Sequence, residues 1–204
     1  MQDSSSNSLS DLKIFTIGHS NHSLETFKDL LSQYEIEVLV DTRSSPFSKY
    51  LPHFNQEPLA AALKVVQTKY LYLGNELGGK PKQQSFYDED GYVLYWKIAE
   101  TPSFEQAIQR LCKGIAQFRV ALLCSEENPT GCHRRLLIGR VLMTLGVKVL
   151  HIRANGQLQA EDELDLANGV SKQMTFLSSA SETKVWRSIQ SASPKKMQLS
   201  SSSH

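Results

Sequence analysis

Between residues 13 and 152, short apolar runs alternate with segments whose apolar positions recur every three or four residues. KIFTIGH (13–19) is rich in β-branched and aromatic residues and stops at Gly18, which predicts a strand. SLETFKDLLSQYE (23–35) sets Leu24, Phe27, Leu30, Leu31 and Tyr34 on one helical face, with the Ser23 hydroxyl placed to cap the first turn. EVLVDTRS (37–44) is a second apolar run ending in polar residues. Pro46 and Pro52 mark an irregular loop before a helix over EPLAAALKVVQ (57–67). KYLYLGNELGG (69–79) reads as a third strand running into a glycine-rich loop. TPSFEQAIQRLCKGIAQF (101–118) has Thr101 as its cap, Pro102 at the first helical position, and Phe104, Ala107, Ile108, Leu111 and Ile115 facing inward. RVALLCSE (119–126) is a fourth strand and the most apolar. A helix over CHRRLLIGRVLMTLG (132–146), ended by Gly146, leads to a fifth strand, VKVLHI (147–152). Strands alternating with helices predict an α/β fold, a mostly parallel sheet of about five strands covered on both faces. Residues 153–187 carry a weaker pattern, read as a short helix or hairpin at the sheet edge.

Composition sets the limits of the domain. Residues 1–11 and 188–204 are rich in Ser with little to bury, so both read as flexible tails around one domain over 12–187. The 204 residues carry 22 basic and 21 acidic side chains, a formal net charge of +1. That balance argues against a general polyanion-coating protein but leaves room for a local basic groove. No apolar run approaches the roughly 18 residues of a membrane span, so no membrane partner is expected. MQDSSSNSLSD lacks the basic and apolar regions of a signal peptide, and the three cysteines, Cys112, Cys124 and Cys132, read as free thiols in a reducing cytoplasm.

In an open parallel sheet, ligands bind beyond the carboxyl ends of the strands. Chemically active residues gather there. The first strand ends in His19-Ser20, the second in Asp41-Thr42-Arg43-Ser44, and the third leads to Gly78-Gly79-Lys80. The fourth ends in Cys124-Ser125-Glu126 and continues to Cys132-His133-Arg134 at a helix start. Helix amides and nearby cations stabilise a thiolate, so the Cys132 pKa is expected to be depressed. The same amides with Arg134 would also bind phosphate without thiol chemistry. Cys124 stands seven intervening residues upstream, a loop able to return Cys132 to its side. The bland readings are a structural Asp41–Arg43 pair, a His19 that only bonds a carbonyl, and a glycine pair that serves a tight turn. Tyr70 and Tyr72 read as packing residues and Cys112 as a small buried hydrophobe. A phosphatase loop would need Arg six positions after Cys124, where Thr130 stands. Paired-cysteine zinc spacing is absent. A site from Cys124, Cys132 and His133 with His19 is conceivable but atypical, so no metal ligand and no cofactor is assigned. G-x-G-x-x-G and Walker loops are also missing.

TIGHSN (16–21), DTRSSPFSKYLPHF (41–54), YLGNELGGK (72–80) and CSEENPTGCHRR (124–135) resemble, in order and spacing, the motifs of domain-of-unknown-function family 488. Thr42 stands where that family usually has Val. The resemblance covers about residues 14–152 and implies a Rossmann-like three-layer domain without supplying a reaction.

Three functions are compatible with these residues. The leading one is an enzyme for a small anionic, phosphate-bearing or nucleotide-like ligand. Cys132 would be its activated thiol and Cys124 a resolving partner or a group supporting it from behind. Asp41 or Glu126 would act as base or as orienting group, and His19 or His133 would move protons. Ser20, Arg43, Ser44, Gly78, Gly79, His133 and Arg134 would hold the ligand. The second is a nucleic-acid-binding or DNA-repair-associated module using the same two arginines, Arg43 and Arg134, with Lys80, Lys82, Tyr87 and Tyr92. The third is a metal- or redox-sensing thiol protein.

Overall fold

The computed structural model describes residues 12–167 and 186–191. One sheet of six strands runs in the order β3 (Lys69–Tyr72), β2 (Val38–Asp41), β4 (Val120–Cys124), β1 (Lys13–Gly18), β5 (Lys148–Ile152), β6 (Leu158–Ala160). The first five are parallel, and β6 pairs antiparallel with β5. The expected parallel α/β sheet is present, with a sixth strand added by the 153–160 hairpin. Among the described residues, no helix is long and apolar enough to cross a membrane.

Alternation along the strands builds two cores. Ile14, Val120 and Leu122 point to one face, where α5 (Pro102–Ile115) and α6 (Arg140–Thr144) pack. Phe15, Ile17, Ala121 and Leu123 point to the other, against α1 (Leu24–Gln33) and α2 (Gln56–Val65). Both predicted caps form: Ser23 Oγ accepts from the Thr26 amide at 3.1 Å, and Thr101 Oγ1 from the Phe104 amide at 3.3 Å. Every residue of β4 is buried, as a central strand requires. Its Leu122 and Leu123 are fully enclosed, each contributing about 1.5–3 kcal/mol by burial.

β4 is inserted between β1 and β2. The connection leaving β2 runs outward to β3, while the one leaving β4 passes to β5 on the opposite side. The connections of these two neighbours part at the strands' carboxyl ends and leave a crevice there, the usual ligand position in such sheets. Register brings the ends level: Gly18 lies opposite Cys124, and Asp41 opposite Leu123 and Tyr72. Gly18 is required for this fit, because a Cβ there would stand 1.8 Å from the Glu126 carbonyl oxygen.

Several local expectations change. The third strand ends at Tyr72, and the loop beyond it contains a short helix, α3 (Gly74–Leu77). A further helix, α4 (Tyr95–Ala99), follows the 79–94 loop. The helix after Cys132 opens with a π-helical turn over Arg134–Gly139 before continuing as α6. α7 (Glu161–Ala167) follows β6; residues 168–185 lie outside the described residues. Residues 188–191, assigned to the tail, are docked instead. The Ser188 amide donates to Val93 O at 2.8 Å, Ser188 Oγ accepts from the Val93 amide at 2.9 Å, and Trp186 Nε1 donates to Leu136 O at 2.6 Å. Residues 1–11 and 192–204 lie outside the described residues.

Candidate functional site

The crevice holds a cavity of about 450 Å³ whose walls include Cys124, His133, Glu126, Tyr95, Lys80 and Lys82. Each comes from a different local cause. Cys124 is the last residue of β4, and the turn after it carries Glu126 outward. His133 arrives because the Cys132 amide closes a turn onto Pro129 O at 3.0 Å and starts the next helix. Lys80 is set by its own amide, which donates to Ser44 Oγ at 2.9 Å.

The centre of the site is a thiol pair bridged by an imidazole. His133 Nδ1 stands 3.7 Å from Cys124 Sγ and 3.8 Å from Cys132 Sγ. The other ring nitrogen, Nε2, lies 3.0 Å from the Thr42 carbonyl oxygen and donates to it, leaving Nδ1 to face the sulfurs. No disulfide joins the cysteines. The pair gives up its first proton readily: the Cys132 S–H stabilises a thiolate at Cys124, and His133 and Arg134 favour it further against the effect of burial. Cys132 retains its proton, because burial and the neighbouring thiolate oppose a second charge. The Cys124 thiolate holds the His133 pKa above its usual value against the effect of burial. The expectation of a depressed Cys132 is thus corrected. Cys132 does sit at the helix start, but it lies behind the wall, and Cys124 is the thiol that reaches the cavity.

The arginines are also placed differently from the expectation of ligand clamps. Arg134 is completely buried, with its guanidinium nitrogens on the carbonyls of Glu126 and Glu127. It holds the strand-to-helix loop in place, and its Nε is buried without a partner. Arg43 touches the cavity wall, yet its charge is taken by Asp41 through contacts of 2.9 and 2.6 Å, and it also donates to Phe54 O at 2.8 Å. Tyr70 donates to the same carboxylate at 2.6 Å, a polar role that a packing residue would lack. Asp41 is therefore fully engaged inside the fold and is not placed as a general base.

His19 is buried, stacks on Phe54 with ring centroids 4.5 Å apart, and bonds Ser20 O through Nδ1 at 2.9 Å. Burial lowers its pKa to about 4, so it is neutral at pH 7, and it is not among the cavity-lining residues. Ser20 lies outside the lining too; its amide donates to Ser125 O at 2.9 Å from a backbone with φ of 45°. Ser44 and Gly79 line the cavity, whereas Gly78 packs behind them, where a Cβ would stand 2.4 Å from Ser44 Oγ. Cys112 is half-buried on α5, against the core, and has no part in the site.

Tyr95, Ser188 and Gln190 also line the cavity, and the sequence pattern singled out none of them. Tyr95 begins a five-residue helix too short to show a period, and Ser188 and Gln190 come from a segment read as tail. Tyr87 and Tyr92 are engaged within the fold: Tyr87 donates to Pro81 O at 2.8 Å, and Tyr92 lies beneath the Arg187 guanidinium at 4.3 Å.

A family profile described as "Domain of unknown function DUF488" matches residues 23–141, more than half of the chain. The chain belongs to this family. The DUF488 match includes β2, the glycine pair and the whole Cys124–His133 segment; β1 with His19 and Ser20 precedes it. No curated protein and no solved structure matches the chain.

Proposed function

We propose that this DUF488 protein is a cytoplasmic enzyme acting on a small phosphate-bearing or nucleotide-like ligand, with the cysteine–histidine cluster at the reacting end of the cavity. One observation carries this reading: Cys124 faces a 450 Å³ cavity at the topological switch point, beside an imidazole oriented by Thr42. A low-pKa thiolate reached from an open cavity is the usual setting of thiol chemistry. Preference for an anion rests on Lys80 and Lys82, which take the clamp role first given to Arg43 and Arg134. Both lysines line the cavity, and neither forms an ion pair among the described residues. Hydroxyls of Ser44, Ser45 and Ser125 supply further donors around the same space. Among the described residues, Glu126, exposed at the rim, is the one carboxylate lining the cavity and so placed to accept a proton from a ligand there.

The test is calorimetric titration of the full chain with inorganic pyrophosphate and with nucleoside monophosphates. Binding is expected to weaken about tenfold in Lys80→Ala and again in Lys82→Ala, each the loss of one charge-assisted contact. Turnover of any substrate found should disappear in Cys124→Ser. Absence of binding by every probe, or full activity in Cys124→Ser, would overturn the reading.

A further inference from the structure

We propose that Cys124 Sγ, Cys132 Sγ and His133 Nδ1 form a binding site for one zinc-class divalent cation, with a fourth coordination position open to the cavity. The three ligand atoms all lie within 4.8 Å of one another. Zinc bonds of about 2.3 Å to sulfur and 2.0–2.1 Å to nitrogen, set tetrahedrally, require sulfur-to-nitrogen edges of about 3.6 Å. The two such edges here measure 3.7 and 3.8 Å, so the cation needs almost no movement of the imidazole relative to the sulfurs.

The surroundings match those of a histidine ligand. A metal-bound imidazole usually donates its other N–H to a carbonyl or carboxylate, which fixes the tautomer and the ring plane. His133 Nε2 donates to Thr42 O at 3.0 Å, and Gly79 presses on the ring from the side. Two thiolates and an imidazole are soft ligands that favour zinc over magnesium or calcium. Thiol ligands bind metal as thiolates, and a dication offsets the charge of two of them.

The fourth position distinguishes this site from a closed structural one. Cys124 and His133 form part of the cavity wall, while Cys132 lies behind it, so the uncovered side of the trio faces the cavity and Glu126. Three protein ligands with one open position is the arrangement of catalytic zinc. His19, considered with these residues in the sequence, stays outside: its ring is stacked on Phe54 and bonded to Ser20 O. The inference goes beyond the ligand reading, since the cation would bind whether or not a phosphate enters. In the loaded protein, the cavity would meet the open metal position rather than a bare Cys124 thiolate.

The test uses the full chain, free of affinity tags, reduced and stripped with chelator. Cobalt(II) titration is expected to saturate at about one ion per chain, with sulfur-to-cobalt charge-transfer absorption and four-coordinate ligand-field bands that zinc then abolishes. Cys132→Ser and His133→Ala should each weaken zinc binding by at least about 100-fold, because even outer-shell losses cost 10–100-fold. Cys112→Ser should leave affinity and spectrum unchanged. Absence of charge transfer in the reduced wild-type chain, or its survival in Cys124→Ser/Cys132→Ser, would overturn the proposal. The wild-type spectrum decides even if a variant fails to fold, and phosphate binding through Lys80 and Lys82 is measured separately.

Discussion

Gly79 and the His133 ring touch so closely that no side chain fits between them: a Cβ on Gly79 would stand 2.5 Å from both Cβ and Cγ of His133. The φ of Gly79 is not positive, so the glycine is required by close approach rather than by backbone conformation. The loop after α3 thereby fixes the ring that faces both sulfurs.

Gly79→Ala should therefore displace the imidazole. Overpacking of this kind costs about 1–3 kcal/mol, and a shifted ring would lose its bond to Thr42 O. We expect a lower unfolding midpoint in urea together with weaker cobalt binding. Gly114, where a Cβ would meet only Val120 Cγ2 at 3.9 Å, provides the control. Gly114→Ala on α5 should gain rather than lose stability, by roughly 0.5–1 kcal/mol.

Accessibility orders the thiols. Cys124 lines the cavity, Cys132 lies behind it with only 2% of its surface exposed, and Cys112 is half-buried on α5. In metal-free, reduced protein at pH 7, iodoacetamide should label Cys124 before Cys132, as read by peptide mass spectrometry. Cys132 labelling first would show that the cavity opens from the other side of the pair.

The Asp41–Arg43 pair is almost fully enclosed, with Tyr70 completing the carboxylate's contacts. Asp41→Asn leaves the guanidinium buried without its counter-charge, a change that costs about 3–5 kcal/mol. Equilibrium unfolding should show a loss of that size. An effect below 1 kcal/mol would mean that Arg43 finds water or another partner.

Burial holds His19 at a pKa of about 4 against an ordinary 6.5. Its folded pKa lies below its unfolded one, so the unfolded chain binds more protons between these values. Stability from this group is complete above pH 6.5 and is lost as pH falls toward 4, by up to roughly 3 kcal/mol. The His151 pKa is also lowered, chiefly by burial, and adds a loss of the same sign. His19→Phe keeps the stack on Phe54 and removes the titration, so urea unfolding at pH 7 and pH 5 should differ less than in the wild type. An unchanged difference would assign the effect elsewhere.

The elements were legible because their signals are local. The α5 stripe of Phe104, Ala107, Ile108, Leu111 and Ile115 repeats with the helical turn, and all five are buried. Even Thr101 and Ser23 act as caps within three residues of their partners. Elements too short for a period, α3 and α4, escaped for the same reason, while β6 and α7 fall in the segment read as a short helix or hairpin at the sheet edge.

The sequence by itself determined which of the longer segments become strands and helices, and that chemically active residues follow the carboxyl ends of the strands. It could do so because burial repeats along each element and because parallel strands connected through helices all finish on the same side. Only the tertiary structure decided what each active residue meets there. Thr42 and His133 are 91 positions apart and come together because β4 lies beside β2. The same packing buries Arg43 on Asp41 and Arg134 on two carbonyls, committing both guanidinium groups to the fold. It also sets Cys124, rather than Cys132, on the cavity wall. A side chain's charge and exposure depend on neighbours distant in the chain, and the order of strands across the sheet is what chooses them.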